Sequence, residues 1–152
     1  MGRFAPAGNL RLRQVMPGPM DLTFGGAEAN VAASIAMFGG NARFVTALPD
    51  NPLGDACAST LRGLGIDVSQ IVRNKAGRLG LYFLENGANQ RPSNVVYDRS
   101  YSAVSLTGPE SYNWSAALAD ASWLHTTGIT PSLSQQAASS ALAAVQKAKD
   151  AG

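Results

Sequence analysis

The sequence has few of the residues that build disulfides, metal centres and highly charged surfaces. Its 152 residues include one cysteine, Cys57, and one histidine, His125. A single cysteine excludes an internal disulfide and a metal site made from several cysteines. Charged residues make up 14% of the chain, below the usual fraction of about a quarter. Either part of the surface is covered by further protein, or the composition reflects a bias toward Ala, Gly and Ser.

Strong charge of one sign is also missing. The chain has 12 basic and 10 acidic residues, a net charge of +2, and no basic cluster longer than Arg11-Leu-Arg13. This pattern gives no electrostatic footprint for nucleic acid or a membrane surface, so we predict neither partner. No stretch approaches the roughly 18 apolar residues of a membrane span, and the N-terminus lacks the apolar core of a signal peptide. We therefore expect a cytoplasmic protein.

Two common nucleotide-binding motifs are absent as well. Neither G-x-G-x-x-G nor G-x-x-x-x-G-K-[ST] occurs, which excludes the usual dinucleotide-binding and P-loop interpretations. The length fits one ordinary domain or part of a larger one. We find no internal repeat and no low-complexity linker.

Strands and helices alternate in the patterns that are present. Helical spacing predicts a helix over 27–38 and another that starts at Pro52 behind an Asn51 N-cap, with Cys57 in its core face. Buried strands are predicted over 42–48, 67–73 and 123–129, and a last helix near Ser132. This order indicates an α/β fold with a mostly parallel sheet flanked by helices.

Two hairpins are predicted outside that core. The first covers about 9–25, where LRLRQV and DLTF flank a Pro-Gly-Pro turn. The second covers about 79–100, where β-rich runs flank Asn86-Gly87 and a polar loop. Both hairpins are additions to the α/β core.

The second hairpin offers candidate binding residues. Strand alternation places Tyr97 and Arg99 on one face, and Tyr82 on the partner strand can share it, whereas Asp98 points the other way. A guanidinium beside two phenols suits a small polar anion. The alternative is an ordinary exposed strand with amphipathic residues.

The stretch GGAEAN, residues 25–30, is a second candidate. Glycines allow ligand to approach the backbone, and a helix start presents unpaired N–H groups, to which Asn30 could add its amide. The alternative is a Gly-Gly turn that lets helix and sheet pack closely. We interpret His125 and Cys57 as structural residues.

Taken together, FGGAEANVAASIAMFGG, VTALPDNPLGDACASTLRGLGID, GLYFLE, VVYDR and HTTGITPSLS resemble the N-terminal half of ribokinase-like (PfkB) carbohydrate kinases. The resemblance is greatest to 2-dehydro-3-deoxygluconate kinases. It implies a mostly parallel sheet between helices, with a β lid over the sugar. The substrate-binding residues it implies are Gly26, Ala27, Glu28, Asn30, Tyr82, Tyr97 and Arg99. It also allows a homo-oligomer formed through the lid strands.

The resemblance implies a kinase that uses ATP and Mg²⁺ to phosphorylate a sugar or sugar acid. In such kinases the ATP site and the catalytic Asp of a G-A-G-D motif lie in the C-terminal half. The sequence has one Gly-Asp pair, Gly54-Asp55, in a different context. We therefore expect residues 1–152 to form the N-terminal part of the domain, with no catalytic, cofactor or metal residue and with the family's first strand missing.

Two alternatives to a 2-dehydro-3-deoxygluconate kinase stay open. One is a kinase of the fructokinase or ribokinase type, in which Arg99 would matter less. The other is a non-catalytic fragment that binds sugar acids or acts as an interaction module.

Overall fold

The computed structural model describes all residues from Met1 to Gly152 and contains a mixed four-stranded sheet. Its strand order is β2-β1-β5-β6, and β1 pairs antiparallel with β2 and parallel with β5, which pairs antiparallel with β6. The strands are β1 Gly2–Ala5, β2 Asp21–Phe24, β5 Leu81–Glu85 and β6 Asn94–Asp98.

The prediction of a hairpin over 9–25 is correct for its second strand, which is β2, and wrong for its first. LRLRQV does not form a strand, because Leu12–Val15 is a short helix, α1, whose Leu12 N–H donates to the Glu85 carboxylate at 2.9 Å. The antiparallel partner of β2 is β1, a strand that the sequence patterns did not predict. Local alternation of apolar and polar residues was misleading here, since the pairing partner lies earlier in the chain.

The second unit of the fold is a β-α-β crossover. Strands β3 Ala47–Pro49 and β4 Val72–Asn74 pair in parallel and are connected by helix α3, Pro52–Gly63. As predicted, Asn51 is the N-cap of α3, and its side chain accepts hydrogen bonds from Leu53 and Gly54. The strand predicted over 42–48 is shorter than expected, with an isolated parallel bridge between Arg43 and Asp67 before it.

Helix α2, Ala27–Met37, forms where the sequence predicted a helix. It packs its small residues into a core shared with β3 and α3, in which Cys57 is 3% exposed, as expected for a core thiol. The buried members of this core are Ala29, Ala32, Leu48, Cys57, Ala58, Leu61, Ile66 and Leu79.

The rest of the chain is helical or irregular. Helices α4 Ala103–Leu106 and α5 Trp114–Leu118 flank a 3₁₀ turn at Pro109–Ser111, and α6 spans Gln135–Asp150 behind the N-cap Ser134. No helix is both long and apolar enough to cross a membrane.

The strand predicted over 123–129 does not form. This segment has no β pairing, and Trp123 is 85% exposed. His125, expected in a buried strand, lies exposed in a loop. An apolar run becomes a strand only where another strand offers hydrogen bonds, and no neighbouring strand does so here.

The α/β class is confirmed. The four-stranded sheet contains both predicted hairpin regions, and two of its three pairings are antiparallel. The helix-connected pair of β3 and β4 is parallel, as predicted for the core. The predicted hairpin over 79–100 forms from β5 and β6, with Tyr82 directly opposite Tyr97.

Candidate functional site

The antiparallel pair of β5 and β6 brings together two tyrosines and an arginine. The Tyr82 and Tyr97 rings lie 6.0 Å apart between centroids, with a tilt of 41°. The Arg99 guanidinium carbon lies 4.4 Å from the centroid of the Tyr97 ring, a cation–π contact. The three side chains therefore lie together on one sheet face, in the arrangement that strand alternation predicted.

The turn before helix α2 faces the same place. A methyl group added at Gly25 would lie 3.2 Å from the Tyr82 hydroxyl and 3.7 Å from Asn30 Oδ1. The Tyr82 hydroxyl and the Asn30 amide oxygen therefore both lie close to the backbone of Gly25. Gly26, the N-cap of α2, has φ 156° and ψ 154°, a conformation that is essentially restricted to glycine. Gly26 is thus required by its backbone conformation, and a side chain at Gly25 would press against the Tyr82 hydroxyl.

Glu28 is held by the segment that follows residue 123. Its Oε1 accepts hydrogen bonds from the Thr127 hydroxyl at 2.7 Å, the Thr127 N–H at 3.3 Å and the Thr130 hydroxyl at 2.9 Å. Burial alone would raise the pKa of the Glu28 carboxyl. The hydrogen bonds from Thr127, the Glu28 backbone and Thr130 outweigh burial, so the pKa lies below its ordinary value. Glu28 is therefore an ionised anchor for this segment.

A cleft of about 990 Å³ opens beside the α2 turn. Of the predicted site residues, it is lined by Gly26, Ala27, Glu28 and Arg99, together with Gly25. Asn30, Tyr82 and Tyr97 do not line it, so the predicted residues form its rim and the adjoining sheet face rather than one enclosed pocket. The volume is at the upper end of the range for small-molecule sites.

The other polar residues singled out in the sequence have structural partners. Asp98 forms an ion pair with Arg78 on the opposite side of β6 from Tyr97, which agrees with its predicted direction. Asp55 of the Gly-Asp pair contacts Arg73 at 2.9 Å. No three side chains among His, Cys, Asp and Glu lie close enough to hold a metal ion. The residues present do not fit a metal centre made by this chain alone.

Sequence reasoning missed three residues at this site. Thr127 and Thr130 contact Glu28 across 99 and 102 positions, and no local pattern indicates such a pairing. Arg3 lies on β1 directly opposite Tyr82. Period-two alternation in GRFA could have indicated a strand, but four residues are too few to be distinctive.

Comparison with known proteins identifies the family. Residues 14–152 match the model of the pfkB family of carbohydrate kinases, and the chain belongs to this family. The fold agrees closely with the crystal structure of a 2-dehydro-3-deoxygluconokinase from Thermotoga maritima, with a TM-score of 0.95 and 46% identity over 100% of this chain and 46% of the other.

Two curated relatives are named as kinases of 2-dehydro-3-deoxy sugar acids. A 2-dehydro-3-deoxygalactonokinase of Haloferax volcanii is 35% identical over 127 residues, which is 84% of this chain and 39% of the relative. A 2-dehydro-3-deoxygluconokinase of Thermoproteus tenax is 30% identical over 135 residues, or 84% of this chain and 41% of the relative. The chain thus spans about two fifths of the length of these relatives.

Proposed function

We propose that this chain is the sugar-binding part of an ATP-dependent kinase that phosphorylates 2-dehydro-3-deoxy-D-gluconate. The observation that carries the proposal is the sheet face of Tyr82, Tyr97 and Arg99, which adjoins the Gly25–Asn30 turn. The names of the relatives support the same substrate class.

The chemistry of the face fits a sugar acid. A guanidinium donates two parallel hydrogen bonds to a carboxylate, and such charge-assisted bonds are stronger than neutral ones. No ion pair competes for Arg99, because the ion pairs of the molecule are formed by Arg43, Arg73, Lys75 and Arg78. The Tyr97 ring beneath Arg99 holds the guanidinium in place without neutralising it.

The hydroxyl groups of the sugar have partners in the α2 turn. The Tyr82 hydroxyl and the Asn30 amide oxygen both lie close to Gly25, where the missing side chain leaves the backbone accessible. Of the seven predicted substrate-binding residues, Glu28 has the weakest case for direct contact, since one of its oxygens already accepts hydrogen bonds from Thr127 and Thr130. We assign it to holding the turn.

The transfer step needs groups that we place outside these residues. The terminal hydroxyl of the sugar acid would attack the γ-phosphorus of ATP, the bond to the β,γ-bridging oxygen would break to release ADP, and the hydroxyl proton would pass to a base, with Mg²⁺ stabilising the phosphate charge. We do not assign this role to Asp55 of the Gly54-Asp55 pair, since its ion pair with Arg73 in the first turn of α3 favours a structural role. The residues of this chain bind and orient the sugar.

Calorimetric titration with 2-dehydro-3-deoxy-D-gluconate and with D-fructose tests the proposal. We expect the unsubstituted chain to bind the acid more tightly than fructose. Arg99→Met should lower the ratio of acid affinity to fructose affinity by at least about tenfold, because it removes one charge-assisted hydrogen-bonded pair. Arg62→Met is the matched control, since Arg62 is an exposed arginine on α3. Equal losses for acid and fructose in Arg99→Met would favour a neutral sugar as substrate.

An assay of ADP release tests the placement of the catalytic groups. With ATP, Mg²⁺ and the sugar acid, we expect no turnover by residues 1–152 above the rate without protein. Turnover that disappears with Asp55→Asn would show that the Gly-Asp pair of this chain is catalytic after all.

A further inference from the structure

Four side chains lie in one row across the four-stranded sheet. Thr23, Arg3, Tyr82 and Tyr97 are consecutive partners in the register of β2, β1, β5 and β6, so their side chains share a face. The next row, which points to the opposite face, contains Phe4 and Phe83, whose rings stack at 5.5 Å. Arg3 therefore lies on the tyrosine face of the sheet.

Arg3 lacks the carboxylate partners that several other arginines of this molecule have. Its Nε is buried without a hydrogen-bond partner, although the residue as a whole is half-buried. Arg43, Arg73 and Arg78, by contrast, are each paired with a carboxylate. A buried donor without a partner destabilises a fold, and those that occur in native proteins call for an explanation.

No carboxylate of the sheet neutralises this face. Asp98 lies on the opposite face and is paired with Arg78. Glu28 is held by Thr127 and Thr130. Asp21, opposite Ala5, shares the face of Arg3 but forms no ion pair and is exposed. The guanidinium groups of Arg3 and Arg99 thus lie on one sheet face, and neither forms an ion pair with a carboxylate of the chain.

The spacing of the two arginines suits a short anionic chain. Arg3 and Tyr97 are two strands apart, which is about 10 Å at the usual strand separation. Arg99 follows Tyr97 by two residues on the same face, and Tyr82 lies between the two arginines. A six-carbon sugar acid that lies across Tyr82 can be reached from both ends by flexible arginine side chains.

We propose that Arg3 is a second arginine of the sugar site, which donates hydrogen bonds to an anionic sugar bound across Tyr82 and thereby selects it over a neutral sugar. This inference rests on the function proposed above. Arg3 and Arg99 bracket the ligand, and the terminal N–H groups of Arg3, which are not buried with its Nε, donate to ligand oxygens.

Titration of Arg3→Met and Arg3→Lys with 2-dehydro-3-deoxy-D-gluconate and D-fructose tests the assignment. We expect Arg3→Met to weaken acid binding at least about tenfold and to leave fructose binding within about twofold. Arg3→Lys keeps the charge but loses the planar fork, so its acid affinity should lie between those of the unsubstituted chain and Arg3→Met. Arg62→Met serves again as the exposed arginine control.

Urea unfolding separates a binding role from a structural one. Removing an unsatisfied donor should leave the unfolding midpoint of Arg3→Met equal to, or above, that of the unsubstituted chain. A lower midpoint together with equal losses for acid and fructose would show a structural role and overturn the assignment. If Arg3→Met bound the acid as tightly as the unsubstituted chain does, while Arg99→Met lost acid binding, the inference about Arg3 would be overturned and the proposed function would stand. If the unsubstituted chain does not bind the acid, the proposed function fails, and this inference fails with it.

Discussion

The hydroxyl of Thr127 donates a 2.7 Å hydrogen bond to the carboxylate of Glu28, which lies 99 residues earlier in the chain. The Thr130 hydroxyl donates to the same oxygen at 2.9 Å. Through these contacts the first turn of α2, which borders the candidate site, is tied to a segment without regular structure. The geometry of the Gly25–Asn30 turn thus depends on residues far away in sequence.

Glu28→Ala should destabilise the chain by about 1–3 kcal/mol, because the hydroxyls of Thr127 and Thr130 and the Thr127 N–H lose their acceptor. Urea unfolding followed by circular dichroism measures the change. Glu110→Ala is the control, since Glu110 is exposed and should change stability little.

Glu28→Gln separates anchoring from sugar contact. Glutamine keeps an acceptor oxygen for Thr127 and Thr130, so both stability and sugar-acid binding should fall less than in Glu28→Ala. If Glu28→Gln abolished binding with no change in unfolding, Glu28 would contact the sugar directly, as the family resemblance predicts.

Two glycines of α3 should respond in opposite directions to alanine. A Cβ at Gly54 would lie 2.1 Å from the Pro49 carbonyl oxygen, so Gly54→Ala should force β3 and α3 apart and cost about 1–3 kcal/mol. At Gly63 no atom lies within 4 Å of an added Cβ, so Gly63→Ala should stabilise by about 0.5–1 kcal/mol. Thermal unfolding of both variants checks the pair, and a loss of stability in Gly63→Ala would contradict the packing described here.

The pH dependence of stability should include a contribution from Asp67. The hydrogen bond from Arg43, followed by those from Ser69, lowers the pKa of Asp67 to about 2. Because the folded pKa is depressed, the stabilisation is complete above the ordinary value of 3.8 and is lost as pH falls toward 2. The Asp67 side chain is 39% exposed, so solvent screening limits the pair to about 0.5–1 kcal/mol.

Asp67→Asn therefore should unfold at lower urea concentration than the unsubstituted chain at pH 7, and the difference should shrink between pH 4 and pH 2. Asp120→Asn is a matched control, because Asp120 contacts the same guanidinium at 3.5 Å but is 77% exposed. If the urea midpoint of Asp67→Asn still differed from that of the unsubstituted chain by the same amount at pH 2, the ion pair with Arg43 would not be the source of the difference.

Tyr82→Phe tests the hydroxyl that points at the α2 turn. The Tyr82 hydroxyl lies over Gly25, close to Asn30, and its loss should weaken sugar-acid binding by about threefold to tenfold, the worth of one net hydrogen bond. The urea unfolding midpoint should be unchanged, since the phenylalanine ring still packs against Tyr97. Tyr101→Phe, at a residue 75% exposed, is the control and should bind normally.

Features that depend on neighbouring residues could be predicted from the sequence. Asn51 caps α3 by accepting hydrogen bonds from residues two and three positions later, and Pro52 fits the first helical turn. Alternation along β6 placed Tyr97 and Arg99 on one face and Asp98 on the other, and the cation–π contact and the Arg78 ion pair agree with this.

Features that depend on distant partners were missed. Residues 123–129 have the apolar composition of a strand, yet they form none, because no strand lies beside them. The run LRLRQV alternates like a strand but forms α1, and β1 takes its expected place beside β2. In both cases the decisive information is the pairing partner, which local composition does not contain.

The α/β class, the helices α2 and α3 and the candidate residues of the second hairpin follow from local sequence patterns, because caps, periodicity and alternation act over a few residues. The pairing of Tyr82 with Tyr97, the position of Arg3 on their face and the hydrogen bonds from Thr127 to Glu28 became known from the folded chain. Strand register and long-range hydrogen bonds are set by how separate elements pack together, and these contacts join positions whose spacing in the chain has no fixed period.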